Sequence, residues 1–450
     1  DLYFCLAMRI SFLFLALVSS VLASNPLATQ QQRELDARAT RLSKSGKFDD
    51  LRQKAYDQYY KTLRKYNVHF DQKTKHDLNV AIDEFVFSSI QKAVNDKPSS
   101  PHVYWIIAPP RKHNWFGESV PGGRVIMDNP DCIYRSVPIS NKYTYRLKGK
   151  RFGNGTSDVT FTLVSNIDAQ TSTTTLDKKQ LQVNQDGTYE ILISPEKSQK
   201  PNHIKSDWQS KALLVRHNLG DWGSETPDAL SVELVGHKAE PNLSDEEIIK
   251  VTRGSLEASI PIYGFGVLDV KTFSNPVNSL KKPPKHPTLG ALPTQSQSFG
   301  HYSLNTDEAL VVTLTAGNSD YWVIPVNSVG LVTHKPSQGI VSFNSKQARA
   351  NKNGTYTVVI SQTDPGAYNW IPTYGRKQGT LLARWQGFNQ HGGDRNGLDV
   401  YTQVVPLNKL RQTLPPETKY ISKGERQQQV QKRREQFARI HSCLLYTSDA

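Results

Sequence analysis

The sequence is poor in cysteine, in methionine and in long apolar runs. Its 450 residues include 3 Cys and 2 Met. A fold held together by disulfides is excluded, because small disulfide scaffolds carry far more cysteine per residue. Beyond residue 22, no apolar run approaches the roughly 20 residues that a membrane-spanning helix needs. We therefore expect a globular chain with two or three domains of roughly 100 to 200 residues each.

Common catalytic signatures are also missing. The sequence has no His-Glu-x-x-His, Gly-x-Ser-x-Gly, Gly-x-Gly-x-x-Gly or Cys-x-x-Cys string, and no phosphate loop. Metalloprotease, lipase and nucleotide chemistries lose support accordingly. The nearest metal-like string, His391-Gly-Gly-Asp394, has a spacing that any loop can contain. We predict neither a metal site nor a cofactor.

Positive charge exceeds negative charge. Lys and Arg number 55 against 41 Asp and Glu, a net charge of +14, which favours anionic partners without selecting one. Six basic residues interrupt a Gln-rich segment near the end of the chain, and this pattern predicts a solvated helix. They are Lys423, Arg426, Lys432, Arg433, Arg434 and Arg439.

The N-terminal region resembles a secretory signal. Met8-Arg9 precedes an apolar run from Ile10 to Leu22 that ends at Ala23-Ser24. A charged start, a short apolar segment and a small-residue exit are typical of a cleavable signal peptide. The alternative is a signal anchor that also uses the apolar residues before Arg9. Residues 1–7 and 442–450 resemble translated leader and adapter sequence.

Secretion predicts a location outside the cell or in the endolysosomal lumen. Three sequons, at Asn154, Asn242 and Asn353, fit this route and predict a glycoprotein. Under this prediction no nucleic acid is a partner, and no transmembrane segment remains after signal removal. With Cys5 and Cys443 in the suspect ends, Cys132 has no disulfide partner, and we expect it to be a small buried hydrophobic residue.

Hydrophobic periodicity divides the chain. Steps of three and four residues predict helices over 48–66 and 78–93, whereas short β-branched and aromatic runs from Pro101 onward predict antiparallel strands. Ser244 and Glu247 form a capping-box pattern, which predicts that a helix starts there. A linker rich in Pro and Lys follows over 281–287.

The two strand-rich regions resemble each other. Residues 180–194 align with residues 347–361 at an offset of 167, and 213–216 align with 381–384 at an offset of 168. In both copies a two-residue turn of type I′, Asp186-Gly187 or Asn353-Gly354, is expected to join two strands. A repeat of this length indicates a duplicated domain, because solenoid repeats are shorter.

The predicted fold is mainly β, with two duplicated β-sandwich or jelly-roll-like domains, N-terminal helices, a helical connector and a basic C-terminal helix. The predicted divisions are a leader at 1–7, a signal peptide at 8–23, a helical region at 24–100, a first sandwich at 101–240, a connector and linker at 241–298, a second sandwich at 299–411, a basic tail at 412–441 and an artefact at 442–450.

Several strings resemble proteins that carry the domain of unknown function 1214. They include Asp128-Asn-Pro-Asp-Cys-Ile-Tyr-Arg135, Asp364-Pro-Gly-Ala-Tyr-Asn-Trp370 and Gly379-Thr-Leu-Leu-Ala-Arg-Trp385. The resemblance covers roughly residues 78–411, and Cys132 and Pro372 depart from the family pattern. It implies a β-rich fold and no agreed activity.

One group of residues is our candidate for ligand binding. Aromatic faces beside a planar cation suit sugars or anionic amphiphiles. The group comprises Tyr368, Trp370, Tyr374, Arg384 and Trp385. The same tryptophans could instead fill a sandwich core.

A second group has structural explanations within the repeats. Turns around Asn129-Pro130-Asp131 and Asp364-Pro365-Gly366 explain most of its members. Arg216 and Arg384 end apolar strands at equivalent positions, so we expect each to bind a turn carboxylate or backbone carbonyls of its own repeat. The group comprises Asp128, Asp131, Arg216, Asp364 and Asn369.

The sequence favours a secreted, non-catalytic module that binds a small molecule, either a glycan or an anionic amphiphile. One alternative is a hydrolase with an Asp/His site between the repeats, drawing on carboxylates such as Asp128, Asp131, Asp221 and Asp364. The other alternative is a structural surface or matrix protein.

Overall fold

The computed structural model describes residues 23–111, 115–285, 292–388, 395–442 and 444–445. Helices flank two groups of β-strands. The helices are α1 (Gln30–Ser43), α2 (Asp49–Lys65), α3 (Gln72–Val94), α4 (Asp245–Pro261), a π-helix (Ile262–Phe273), α5 (Leu410–Thr413) and α6 (Lys423–Ile440).

Local sequence signals set the helix starts. Thr29 and Asp71 cap α1 and α3 by accepting from backbone N–H groups of the first turn. The predicted capping box of Ser244 with Glu247 is present at the start of α4. Helix α3 is buried on nearly all sides from Phe85 onward, so it forms the centre of the helical layer.

The connector helix continues further than its sequence suggests. After Pro261 the chain stays helical as a π-helix of 12 residues. Helices of this type are rare and usually last one turn. Pro261, Gly264 and Gly266 would ordinarily mark the end of a helix, which explains why sequence patterns miss the π-helix.

The strands of the first half form two facing sheets. Their orders are β2-β3-β9-β5-β6 and β10-β4-β7-β8. A short strand, β1 (Ala23–Ser24), precedes them. The strands are β2 (Tyr104–Ile106), β3 (Cys132–Pro138), β4 (Thr144–Lys150), β5 (Asp158–Asn166), β6 (Thr171–Asp177), β7 (Thr188–Ser194), β8 (His203–Lys205), β9 (Ala212–Asn218) and β10 (Ala229–Val235).

The second half also forms two sheets, with the orders β11-β17-β13-β14 and β16-β15-β12-β18. The short strand β19 (Leu444–Leu445) pairs with β1. The strands are β11 (Gln295–Ser303), β12 (Glu308–Leu314), β13 (Tyr321–Asn327), β14 (Ser342–Asn344), β15 (Tyr356–Ser361), β16 (Trp370–Pro372), β17 (Gln378–Gln386) and β18 (Val400–Pro406).

The two halves have the same topology. Matching β3 with β11, β4 with β12 and so on to β10 with β18 gives the same order of strands in the sheets of both halves. The first half has β2 in addition. Both β7–β8 and β15–β16 are parallel pairs. Each half encloses its own apolar core between its sheets. The predicted fold class, mainly β with two duplicated sandwiches and flanking helices, is confirmed.

Side-chain hydrogen bonds repeat as well. Asn202 accepts from the backbone N–H of Gln182 and donates to its carbonyl oxygen, both at 2.8 Å. Asn369 makes the same pair of bonds with Arg349, again at 2.8 Å. Both asparagines therefore tie an equivalent loop to an equivalent strand, a role the sequence suggested for Asn369 alone.

The two repeat turns differ from the predicted type I′. Gly187 and Gly354 have φ of +86° and +81°, but neither Asp186 nor Asn353 has a positive φ. In each turn the glycine N–H donates to an asparagine carbonyl three residues earlier. Each is thus a type I turn followed by a left-handed glycine, and the turn carboxylate or amide oxygen accepts from the next threonine.

A buried carboxylate connects the two halves. Asp131, in the first half, accepts from the Tyr321 hydroxyl at 2.6 Å and from the Asn344 amide at 2.7 Å, both in the second half. The Trp222 indole donates to its other oxygen at 2.9 Å. Burial raises the pKa of Asp131 to about 6.

The prediction of a solvated C-terminal helix is correct for one face only, which exposes Lys423, Lys432 and Arg434. Helix α6 buries Arg426, Arg433, Phe437 and Ile440 against both halves. The Arg433 guanidinium lies over Trp222 of the first half at 5.4 Å and over Phe343 of the second half at 5.3 Å. Long cationic side chains can be buried on aromatic faces, so a charge pattern does not by itself show exposure.

Within the described ranges, no helix has both the length and the apolar character that crossing a bilayer requires.

Candidate functional site

Two arginines from equivalent strands converge on one cavity. Arg216 lies on β9 and Arg384 on β17. Side chains alternate along a strand, so Leu213 and Leu381 point into the sandwich cores while the two arginines point to the opposite, outer faces. These outer faces are the ones that the helices and the other half cover.

The partners of these arginines differ from the prediction. Arg216 donates to the Gln170 side-chain oxygen at 2.8 Å. Arg384 donates to the Tyr134 hydroxyl and to the Met127 carbonyl, both at 3.3 Å and both in the first half. The expectation that each arginine binds a carboxylate or carbonyls of its own repeat is wrong for Arg384, whose partners lie in the other repeat. Arg216 keeps a partner in its own repeat, but this partner is a side-chain amide and not a carboxylate or a backbone carbonyl.

Neither arginine forms an ion pair with a carboxylate in the described part of the chain. Both are nearly buried, with 6% and 9% of their surface exposed. Arg216 Nη1 and Arg384 Nε have no hydrogen-bond partner. Burial lowers the pKa of Arg216, and the charge of Arg384 lowers it further. Two neighbouring buried cations without an ion pair are less favourable than the same cations joined by an anion.

The cavity beside them has a volume of about 650 Å³, within the usual range for small-molecule sites. Its walls are apolar and polar in about equal parts, and three lysines lie at its exposed edge. No Asp, Glu or His belongs to the described lining. The apolar members are Ile107, Val125, Ile126, Met127, Ala169, Ile262, Val267, Val270, Pro284, Leu292 and Phe299, the uncharged polar members are Tyr134, Gln170, Thr171, Asn275, Gln295, Ser296, Gln297 and Ser298, and the lysines are Lys271, Lys281 and Lys282.

Strained backbone is concentrated around this cavity. Nine non-glycine residues of the described chain have a positive φ, and four of them line the cavity. They are Ile107, Ile126, Met127 and Gln170. A left-handed conformation is costly for a β-branched residue, and such strain usually persists where it shapes a functional site.

Most of the predicted ligand-binding aromatics lie elsewhere. Trp385 is fully buried in the second sandwich core, where its indole donates to the Thr315 carbonyl at 2.8 Å. Trp370 donates to the Ser361 hydroxyl at 2.9 Å and lies under Arg426. Tyr374 donates to the Ile340 carbonyl. Of the five predicted residues, Arg384 alone lines the large cavity.

Tyr368 borders a smaller cavity of about 240 Å³ on the second half. Arg349 and Lys419 lie over its ring at 5.2 and 5.5 Å. This space is below the usual size of a ligand pocket.

The structural motif residues form separate contacts. Asp128 accepts from the backbone N–H of Thr333 at 2.9 Å, across the two halves. Asp364 accepts from Gly366 N–H at 2.8 Å, as the turn predicts, and pairs with Arg426 at 2.9 Å. Each carboxylate thus has its own partners.

Among the described residues, His217 and Asp228 form a His–Asp pair, but this pair lies inside the first sandwich. His217 Nε2 is 3.3 Å from Asp228, and both side chains are fully buried. Burial raises the pKa of the Cys132 thiol to about 12, as expected of an inert buried residue. No group of three or more potential metal ligands occurs among the described residues, and the string at residues 391–394 falls outside them.

Sequence reasoning missed the pairing of the two arginines. It recognised Arg216 and Arg384 as equivalent positions but assigned a ligand role to Arg384 alone. The signal that could have revealed the site was the repeat itself, because equivalent outward-facing residues meet when duplicated domains pack outer face to outer face. Tyr134, Gln170 and the π-helix carried no comparable signal.

The family resemblance is confirmed for part of the chain. Residues 294–387 match the family described as Protein of unknown function (DUF1214). This stretch includes Arg384 and strands β11 to β17.

One solved structure shows the fold. A crystal structure of an uncharacterised protein from Burkholderia cenocepacia has a TM-score of 0.67 at 24% identity, covering 82% of this chain and 99% of its own. A protein from Vibrio parahaemolyticus has a TM-score of 0.40 at 9% identity, covering 73% of this chain and 100% of its own. Among curated proteins, none matches this chain significantly.

Proposed function

We propose that this protein binds an anionic amphiphile in the cavity between its two halves, with the acidic headgroup at Arg216 and Arg384 and the hydrocarbon tail along the apolar wall. The observation that carries the proposal is the convergence of two buried arginines, neither ion-paired within the described residues, on one cavity.

The arginine pair selects the charge of the headgroup. A carboxylate, sulfate or phosphate in the cavity would meet the guanidinium groups of Arg216 and Arg384, both of which line it. Planar guanidinium groups suit such oxyanions because they offer donors in a fixed fork. Lys271, Lys281 and Lys282 add positive charge at the edge, which would attract an anion.

The wall selects the rest of the ligand. Aliphatic side chains such as Val125, Ile126 and Met127 offer a surface for a hydrocarbon tail, and burying such a tail is favourable. Polar side chains, among them Asn275 and Gln295, also line the cavity and could satisfy the hydroxyls of a glycan. We favour an anionic amphiphile because it uses the apolar side chains and the two arginines together, and an acidic glycan is the competing ligand.

The lining supports binding rather than hydrolysis. Without Asp, Glu or His among its described members, the cavity wall lacks the imidazoles and carboxylates that most often act as general bases. The buried pair of His217 and Asp228 lies in a sandwich core instead. A hydrolase that uses a site between the halves is thus the weaker proposal.

Passage through a secretory compartment belongs to the same proposal. The side chains of Asn154, Asn242 and Asn353 are all exposed, as glycan acceptors must be. Expression in a eukaryotic secretory host should give a protein that loses apparent mass on treatment with an amidase that removes N-glycans. Unchanged mass would argue against this part of the proposal.

Thermal unfolding with three probes tests the binding proposal. Decanoate carries headgroup and tail, decanol the tail alone, and acetate the headgroup alone. A ligand at 100 times its dissociation constant stabilises the native state by about 2.7 kcal/mol. We expect decanoate to raise the melting temperature and the other two probes to have little effect at equal concentration. A comparable shift with an acidic oligosaccharide would favour the glycan alternative.

A further inference from the structure

Exposed apolar residues are clustered on and just after the π-helix. Phe265, Val270 and Val277 are 57%, 52% and 51% exposed. In a π-helix residues about one turn apart share a face, so Phe265 and Val270 lie on the same side. Pro261 and Pro276 are exposed in the same segment. Such a concentration is unusual, because exposed apolar residues on soluble proteins are normally scattered.

The same segment is positively charged. Lys271, Lys281, Lys282 and Lys285 are all exposed. Asp269 is the single acidic residue between positions 258 and 285, and its carboxylate is occupied by Lys65 at 2.8 Å. Lys282 lies 3.3 Å from Asp399, but both groups are well exposed, so this pair is weak.

This surface adjoins the mouth of the cavity. Val270, Lys271, Lys281 and Lys282 belong both to the exposed surface and to the cavity lining. We call Phe265, Val270, Val277 and the four lysines the collection surface. The other large exposed hydrophobic residues of the described chain, among them Trp208 and Tyr401, lie away from this segment in sequence and do not line the cavity.

We propose that the collection surface docks on anionic lipid membranes, so that the protein takes up its amphiphile at a lipid surface. Apolar side chains flanked by lysines match the interface of an anionic bilayer, where the apolar groups enter the headgroup region and the cations meet negative lipid. An uncharged bilayer would not attract the lysines. A protein partner with a neutral surface would leave the positive charge of the collection surface without a negative counterpart.

Uptake of the amphiphile rests on the proposed function, whereas the test of membrane docking does not require the cavity ligand. Co-sedimentation with phosphatidylglycerol-containing vesicles should capture the protein, whereas phosphatidylcholine vesicles should capture little. Raising the salt concentration should weaken capture, because the attraction is partly electrostatic. Equal capture by both kinds of vesicle, or by neither, would overturn the proposal.

Two variants and one control locate the contact. Lys281→Gln with Lys282→Gln should weaken binding to anionic vesicles by roughly fivefold for each lysine. Phe265→Ser with Val270→Ser should weaken it further. Tyr401→Ser, an exposed residue on β18, should leave it unchanged. If Tyr401→Ser reduces capture as much as the two collection-surface variants, the assignment of the surface is wrong.

The two proposals can fail separately. Phe265→Ser with Val277→Ser changes two collection-surface residues that do not line the cavity, so this variant should lose vesicle binding and still bind decanoate from solution as the parent does. Arg216→Met with Arg384→Met should still bind vesicles. If Phe265→Ser instead converts a dimer to a monomer in sedimentation velocity without affecting vesicle capture, the surface joins two copies of the chain and membrane docking is refuted.

Discussion

Arg216 and Arg384 stand at the same position in two copies of one sandwich, and both face a single cavity between those copies. Duplication thereby creates a site that neither copy could form alone. A single copy would present one arginine on an outer strand face. Packing of the two outer faces brings the pair together and, with the helical layer, removes both from water.

The free energy of unfolding of two variants should distinguish Arg384 from an arginine that stabilises the fold. Arg384→Met removes a buried cation that has no carboxylate partner, so we expect the free energy of unfolding to stay unchanged or to rise by about 1–4 kcal/mol. Arg124→Met removes the partner of the buried Glu84 and should cost about 3–5 kcal/mol. Urea unfolding of both variants checks this. Equal losses would mean that Arg384 is structural.

Filling the cavity should block the ligand without harming the fold. Ala169 lines the cavity and is exposed. Ala169→Trp should lower the affinity for decanoate at least about tenfold and shift the melting temperature little, because surface substitutions usually change stability by less than 0.5 kcal/mol. Calorimetric titration measures the affinity. Ala169→Ser is the matched control and should bind normally; unaltered affinity in Ala169→Trp would place the ligand elsewhere.

Asp158 should make stability depend on pH. Burial raises its pKa from 3.8 to about 6 in the folded protein, where the Asn218 amide donates to it. The folded state then holds the proton more tightly than the unfolded state. The stabilisation from protonated Asp158 is fully present below about pH 4 and is lost as the pH rises through about 6.

The size of this effect is on the order of 3 kcal/mol. Urea unfolding of the parent and of Asp158→Asn between pH 4 and pH 7 isolates it. The stability of the parent relative to the variant should fall across this range. A constant difference would show that Asp158 titrates normally.

Helix α6 should stabilise the contact between the halves through Arg433. Its guanidinium lies between Trp222 and Phe343, one from each half. Arg433→Ala removes a desolvated cation–π contact worth about 2 kcal/mol together with its packing. Lys432→Ala, the exposed neighbour, should change stability by less than about 0.5 kcal/mol. Similarly small effects from both substitutions would show that Arg433 contributes no more to stability than its exposed neighbour Lys432.

The elements that could be predicted are those specified by short-range signals. The capping box at Ser244, the strand periodicity and the duplicated turn strings depend on neighbours in sequence, and all appear in the structure. The turn type was wrong because a glycine in the left-handed conformation serves two kinds of turn equally well.

The candidate site depends on contacts between distant residues, which a single sequence does not encode visibly. Arg384 meets Tyr134, 250 residues away. Trp385 lies in the sandwich core because alternate positions of β17 face opposite sides, and Trp370 lies on β16 in the other sheet. The π-helix was missed because proline and glycine there resemble a helix end.

Calorimetric titration of decanoate and decanol into the parent protein and into Arg216→Met with Arg384→Met tests the central claim most directly. The parent should bind decanoate and discriminate strongly against decanol. Each charge-assisted hydrogen bond is worth about 1.5–3 kcal/mol, so the double variant should lose at least about a hundredfold in decanoate affinity. Equal binding of decanoate by parent and double variant, or of both probes by the parent, would contradict the account.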